Sequence, residues 1–217
     1  EAAIRQISHE DWLPRTFWRE NEALDHEALP CEAFYLPAAG STTAGVTFVA
    51  ELDLEALDAD TNDVAVLGLA DTLYESASKV VLSSTWWDYR PATGESSTQT
   101  LVHQFDVSEP GRIAYEASGV VPGRVHNQFS LDERDGALRV VTTEDGTAQD
   151  DWASTSAVRA LRADGQDLEV VGAVTGLAPT EQVYAVRFIG DTAYVVTFRQ
   201  TDPLFVVDVS DPTAPTL

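Results

Sequence analysis

A unit of just over fifty residues recurs along this chain, and it narrows the possible folds more than any composition does. Val140-Val141-Thr142 returns as Val195-Val196-Thr197, 55 positions on, and is foreshadowed by Val81-Leu82-Ser83, 59 positions earlier. The runs FDVSEP (Phe105 to Pro110) and VDVSDP (Val207 to Pro212) stand 102 apart, close to two periods, and Leu52-Asp53-Leu54 lies a further 53 upstream. The cleanest copy runs from Val183 to Pro212. In it Tyr184, Val186 and Phe188 alternate with Ala185 and Arg187, and Tyr194, Val196 and Phe198 alternate with Val195 and Thr197. That is the period of a strand, not of a helix. Gly190-Asp191 between the runs tolerates the positive φ of a tight hairpin, and Asp135-Gly136 predicts the same turn one unit earlier. A third run, Leu204 to Val209, is apolar at successive positions and is expected to be buried on both faces before Asp211-Pro212 stops it.

Four short strands per unit, divided by Gly, Asp and Pro turns at a fixed period, are the signature of propeller blades; helical repeats of this length would carry a 3.6-residue period. The reading is therefore all-β: a partial β-propeller of about three to four four-stranded antiparallel blades over residues 30–217, preceded by a short N-terminal arm at 1–29. The arm sets Trp12, Phe17 and Trp18 among charges, and Pro14 breaks any long helix. Ser8 and Asp11 resemble a capping box for a short one. The arm is expected to pack its tryptophans on the main body and, with its charges and Pro14, to make a poor strand. A closed ring has ~4 to 8 blades. The first strand, Val46 to Leu54, and the last, Leu204 to Val209, are thus expected to leave open edges that the remainder of a larger propeller, or self-association with a second copy, would cover.

The 217 residues are 44% hydrophobic and 23% charged, an ordinary globular balance. Their charge is not ordinary. Thirteen basic residues, of which Lys79 is the one lysine, face 36 acidic ones, giving −23. A field of that sign repels phosphate, which disfavours nucleic acid and anionic membranes as partners, and it also keeps a protein soluble. Cys31 is the single cysteine and has no partner in the chain for a disulfide. No apolar stretch approaches the ~20 residues of a spanning helix, so no membrane insertion is expected from this segment. The chain has no methionine and starts at Glu1. A processed or partial product is expected, with any signal peptide upstream of Glu1.

Several motifs bring a resemblance. Asn127-Gln128-Phe129-Ser130-Leu131-Asp132, Gly176-Leu177-Ala178-Pro179, Val186-Arg187-Phe188 and above all Tyr194 to Gln200 (YVVTFRQ) with Asp202-Pro203-Leu204-Phe205 resemble the secreted bacterial and archaeal proteins with a C-terminal β-propeller domain distantly related to WD40 repeats. Leu13-Pro14-Arg15 and the region of Cys31 fit that family's run-in to the propeller. The resemblance implies the propeller fold, a secreted or cell-surface location and a parent that continues past Leu217. It implies no catalytic residue.

Within a blade, the loops from second to third strand share one face with the connections between blades, and the tight hairpins share the other. The first face collects Trp86, Trp87, Asp88, Tyr89 and Arg90, then Glu144 and Asp145 through Trp152, then Arg199, Gln200 and Asp202. Long aromatic and charged loops on a rigid scaffold are where binding resides, so Trp86, Trp87, Asp88, Tyr89, Glu144, Asp145, Trp152, Arg199, Gln200 and Asp202 form the candidate binding face. The plain alternative is that Trp86, Trp87 and Trp152 cap blade ends. His9, His26, His103 and His126 lack ligand spacing, and His103 falls inside a strand, where a structural histidine is expected. Asp88, Glu144, Asp145 and Asp202 are oxygen donors of the kind Ca²⁺ takes, or a general acid and base; no other cofactor is implied. Asp53, Asp106 and Asp208 recur just before a turn, which predicts Asx-type hydrogen bonding. Arg187 and Arg199 are expected to pair with acids between blades. Two functions follow: a non-enzymatic extracytoplasmic binding or scaffold module for a protein or glycan partner, and, as the alternative, a hydrolase or lyase with carboxylates converging at the channel mouth.

Overall fold

The computed structural model describes residues 8, 13–20, 23–36, 45–55, 62–90, 95–146, 153–198 and 203–217. Everything regular among them is strand, apart from single 3-10 turns at Cys31–Ala33 and Gln128–Ser130. Two blades are complete. The first is the antiparallel meander β6 (Thr72–Glu75), β7 (Lys79–Arg90), β8 (Glu95–Asp106) and β9 (Ala114–Pro122). The second has β12 (Ala137–Glu144) flanked by β13 (Thr155–Asp164) and β14 (Asp167–Leu177) on one side, with β10 (Arg124–Val125) and β11 (Leu131–Arg134) sharing its other edge. The third, β15 (Gln182–Ile189), β16 (Thr192–Phe198) and β17 (Leu204–Asp208), has three strands and one further bridge, Asp208 to Thr216. Ahead of these, β4 (Val46–Ala50) and β3 (Phe34–Tyr35) flank β5 (Asp63–Leu67).

The turns are the ones the sequence predicts. Asp135 (φ 53°) and Gly136 (φ 72°) join β11 to β12, and Gly190 (φ 58°) turns β15 into β16. Asp53, Asp106 and Asp208 each accept the backbone N–H two residues on, from Glu55, Ser108 and Ser210 at 2.8, 3.0 and 2.9 Å. The recurring aspartate is a turn device.

The core lies between blades, not within them. Val64 and Val66 of β5 pack on Val80, Leu82 and Phe105 of the first blade. Val81, Val102, Ala117 and Val121 of that blade pack on Leu131, Leu138, Val140 and Leu161 of the second. Val141, Val158 and Leu177 then meet Val183, Val186, Ala193, Val195 and Val207 of the third. Neighbours such as Val140 and Val141 therefore serve different layers, and β12 is buried at every position from Ala137 to Thr143. The first two blades also touch where Asp167 bridges Ser118, in parallel, and Ser118 N–H donates to Gln166 O at 3.0 Å. Gly119 permits this, because a Cβ there would stand 2.3 Å from the Leu168 carbonyl oxygen.

Three expectations change. Leu204 to Val209 is buried on one face only: Val207 and Val209 are covered, but Leu204 and Val206 are exposed with Tyr184, Ile189 and Phe198. The apolar pattern is there, but the second face is covered only in part: Tyr194 and Val196 are half-buried and Phe129 stacks on Arg187, while Leu204 and Val206 stay in water. The N-terminal segment, expected to be a poor strand, forms the hairpin β1 (Arg15–Glu20) and β2 (Ala23–Ala28), closed by Leu29 N–H to Pro14 O at 2.9 Å. Alternating Thr16, Phe17 and Trp18 favour extended backbone, and a strand that pairs only with its neighbour can keep charged residues in water. Trp12 and Asp11 lie outside the described residues. Arg187, expected opposite an acid, stands instead over the ring of Phe129, 3.9 Å from its centroid.

Candidate binding face

The first blade carries the aromatic residues of the predicted binding face on β7. β7 and β8 stay paired from Lys79 with Asp106 out to Arg90 with Glu95. Their neighbours stop sooner: β6 reaches only Ser83, and β9 only Gln99. The far end of β7 and β8 is therefore a two-stranded ribbon reaching past its neighbours, tied at its root by Thr85 N–H donating to Asp71 Oδ2 at 2.7 Å and by Gly123 N–H donating to Thr98 O at 2.8 Å. Strand alternation puts Trp87 and Tyr89 on one side of the ribbon and Trp86 and Asp88 on the other. Trp87 is 68% and Tyr89 54% exposed, with ring centroids 6.0 Å apart and planes 31° from parallel. Trp86 and Asp88 are half-buried. Directly across from Trp87 and Tyr89 stand Thr98 and Ser96.

The acidic residues of the second blade reach this ribbon. Thr98 Oγ1 donates to Asp145 Oδ2, and Arg124 Nη1 holds the other carboxylate oxygen at 2.7 Å. Glu144 is taken by Arg159, which is nearly buried and also donates to Thr142 Oγ1 at 2.9 Å. Further round, Glu181 accepts from Thr197 Oγ1 at 2.6 Å, and its carbonyl accepts from Ser154 Oγ at 3.0 Å. On the side of the tight hairpins, Arg134 meets Asp191 at 2.9 Å and Arg139 donates to Gly190 O at 3.0 Å, joining the turn of the second blade to that of the third.

Of the residues predicted from sequence, Trp86, Trp87, Asp88 and Tyr89, expected in a loop, are strand residues of β7 because β8 stays paired with them, and Asp145 stands beside this ribbon with Glu144 next to it. Trp152, Arg199, Gln200 and Asp202 lie outside the described residues. Sequence reading missed Thr98, Arg124 and Arg159. Thr98 was findable, since a hairpin turning between Arg90 and Glu95 places it opposite Trp87. The arginines were not, because nothing in the repeat announces which acid each one meets.

Among the described residues no three His, Cys, Asp or Glu side chains stand close enough to hold a metal ion. Of the four acids predicted as oxygen ligands, Glu144 and Asp145 are engaged by Arg159 and Arg124, Asp88 lies on β7, and Asp202 lies outside the described residues. His103 is a core histidine in β8, 4% exposed, with Nδ1 3.1 Å from the Tyr115 hydroxyl; burial alone pushes its pKa down to about 4. Among the described residues no helix is long and apolar enough to cross a membrane.

A family model described as a beta propeller domain matches residues 1–217. The chain belongs to the beta propeller domain family. This propeller is similar to an uncharacterized protein of Archaeoglobus fulgidus, 48% identical over 130 residues, which are 60% of this chain and 19% of the relative. It is also similar to an uncharacterized protein of Methanocaldococcus jannaschii, 45% identical over 102 residues, 45% of this chain and 15% of the relative. The matches thus span less than a fifth of the length of these curated relatives. No solved structure matches the propeller significantly.

Proposed function

We propose that this propeller is an extracytoplasmic, non-enzymatic binding module that engages a protein or glycan partner through its loop-rich face. The observation that carries the reading is the ribbon: two large aromatic rings, Trp87 and Tyr89, held exposed on a rigid blade whose own core has no use for them. Rigid exposed aromatics are costly to display and contribute most to contacts when they are covered. Glu144 and Asp145 support binding over hydrolysis, because acids held by Arg159 and Arg124 are poorly placed to take up and release a proton. The extracytoplasmic location rests on the sequence resemblance. The open edge of β17 and the uncovered face of the third blade suit further blades or a second copy.

The test compares faces. Binding of the intact chain to a panel of soluble polysaccharides and secreted proteins is measured by surface plasmon resonance, with Trp87→Ala and Tyr89→Ala on the ribbon and Asp164→Ala beside the turn at Gly165 on the other side. Loss confined to the ribbon variants supports the reading. Binding that only Asp164→Ala weakens would falsify it.

A further inference from the structure

We propose that the β7–β8 ribbon is a stacking platform for a neutral polysaccharide, a proposal that rests on the binding-face reading above and names its ligand. The chemistry of the patch favours a sugar over a protein. From Thr85 to Tyr89 and from Ser96 to Gln99 the ribbon contains no aliphatic residue; it is aromatic, hydroxyl, amide and one carboxylate. A protein-docking surface of the same molecule would look like the open face of the third blade, where Ile189, Leu204 and Val206 accompany Tyr184 and Phe198. The two exposed surfaces are chemically distinct.

A pyranose ring presents an apolar face of C–H bonds, which the electron-rich face of an aromatic ring attracts, and a rim of hydroxyls that need partners. Trp87 and Tyr89 are two residues apart on one strand, so their rings follow each other along the ribbon, 6.0 Å between centroids. That spacing is comparable with the repeat of a pyranose chain, one ring to each of two successive sugars. Ser96 and Thr98 stand directly across the strand pair to meet the rim. Asp145, held at one oxygen by Arg124 and at the other by Thr98, adds acceptor lone pairs at the edge of the platform. Charge selects among glycans. The platform has Asp145 at its edge and belongs to a chain of net charge −23, so sulfated and uronic-acid polymers are repelled and neutral ones are not.

The experiment is affinity electrophoresis of the intact chain in gels containing neutral polysaccharides (hydroxyethyl cellulose, laminarin, galactomannan), with heparin and alginate as anionic probes. At least one neutral polymer should retard the protein and neither anionic one should. Trp87→Ala and Tyr89→Ala should each raise the apparent Kd about tenfold or more, as expected of an aromatic hot spot, with Tm unchanged because both side chains are exposed. Tyr89→Phe should keep most of the binding. No retardation by any neutral polymer, retardation by heparin or alginate alone, or retardation untouched by the alanine variants overturns the proposal. If the ribbon variants abolish capture of a secreted protein while no polysaccharide binds, the glycan falls and the binding face stands.

Discussion

Lys79 ties three strands of the first blade together, and removing it should expose how much of the blade's stability is electrostatic. Its ammonium, on a side chain 13% exposed, lies 2.7 Å from Asp106 on β8 and 2.7 Å from Glu116 on β9. Gln104 donates to the same Glu116 oxygen at 2.8 Å. The variant Lys79→Met keeps the aliphatic stem and leaves two carboxylates facing each other. Stranding a charge by breaking a fully buried pair costs about 3–5 kcal/mol. Here the carboxylates are 36% and 31% exposed and can recover water, so the loss should fall to about 2 kcal/mol. For a chain of this size that is a fall in Tm of about 4–8 °C.

The pH dependence of that loss carries a sign. Hydrogen bonds from Lys79 and then Ser108 hold the Asp106 carboxyl below the usual carboxylate range. Its contribution is therefore full above the unfolded value near 3.8 and is lost as pH falls through the folded value. Burial pushes the Lys79 ammonium down, but hydrogen bonds to Asp106 and Glu116 outweigh it and leave the pKa raised. That contribution is full below 10.5 and is lost as pH rises through the folded value. The gap between wild type and Lys79→Met, read by differential scanning calorimetry, should hold between about pH 4 and pH 10 and close below it. Adding Asp106→Asn should recover part of the loss, since Asn keeps the oxygen that accepts from Ser108. Equal Tm values at pH 7, or a gap as wide at pH 2 as at pH 7, would refute the argument.

Gly119→Ala should destabilise by about 1–3 kcal/mol, the usual cost of overpacking, because its Cβ would meet the Leu168 backbone; chemical denaturation reads this, and a neutral result would mean that the two blades are not in contact there. His103, neutral in the core with its pKa lowered to about 4, favours the folded state fully above about pH 6.5 and loses that contribution as pH falls toward 4. His103→Gln should flatten this part of the stability profile, and an NMR titration showing His103 charging at pH 6 would contradict it. Light scattering on the 217-residue chain should find self-association through the third blade, relieved by Leu204→Glu with Val206→Glu; a stable monomer of the parent sequence would sink that expectation.

How much of this could be read beforehand depends on where the cause lies. Turns were legible because their chemistry is local: Asp135-Gly136, Gly190 and the three aspartates each act within a few residues. The antiparallel strands grouped into blades were legible through the repeat; the layers between blades were not. The ribbon was only half legible. Lys79 to Ser84 advertises a strand by its apolar residues, but beyond it one side of the ribbon is exposed and the other only half-buried, with aromatic and polar residues on both, so no apolar alternation marks the further run to Arg90. Only the partner strand fixes its extent. Leu204 and Val206 misled for the opposite reason: a run of apolar residues records what a strand can bury, not what covers it. The N-terminal hairpin defeated an argument from charge, because backbone pairing between two adjacent strands does not require an apolar pattern. The ion pairs at Arg124 and Arg159 join separate strands and leave no mark in sequence.

The blades share walls. Val140 leans on the first blade and its neighbour Val141 on the third, so neither layer on the two sides of β12 can loosen without losing strands that the other requires. Disorder should therefore travel inward from the ends. Among the described residues the outer sheet of β3 to β5 and the third blade each pack on one neighbour and should open first, and the middle blade should be last to yield its amide hydrogens to solvent. A partner gripping the ribbon on the first blade would thus hold the molecule beside its most durable layer and leave the frayed face of the third blade free to move.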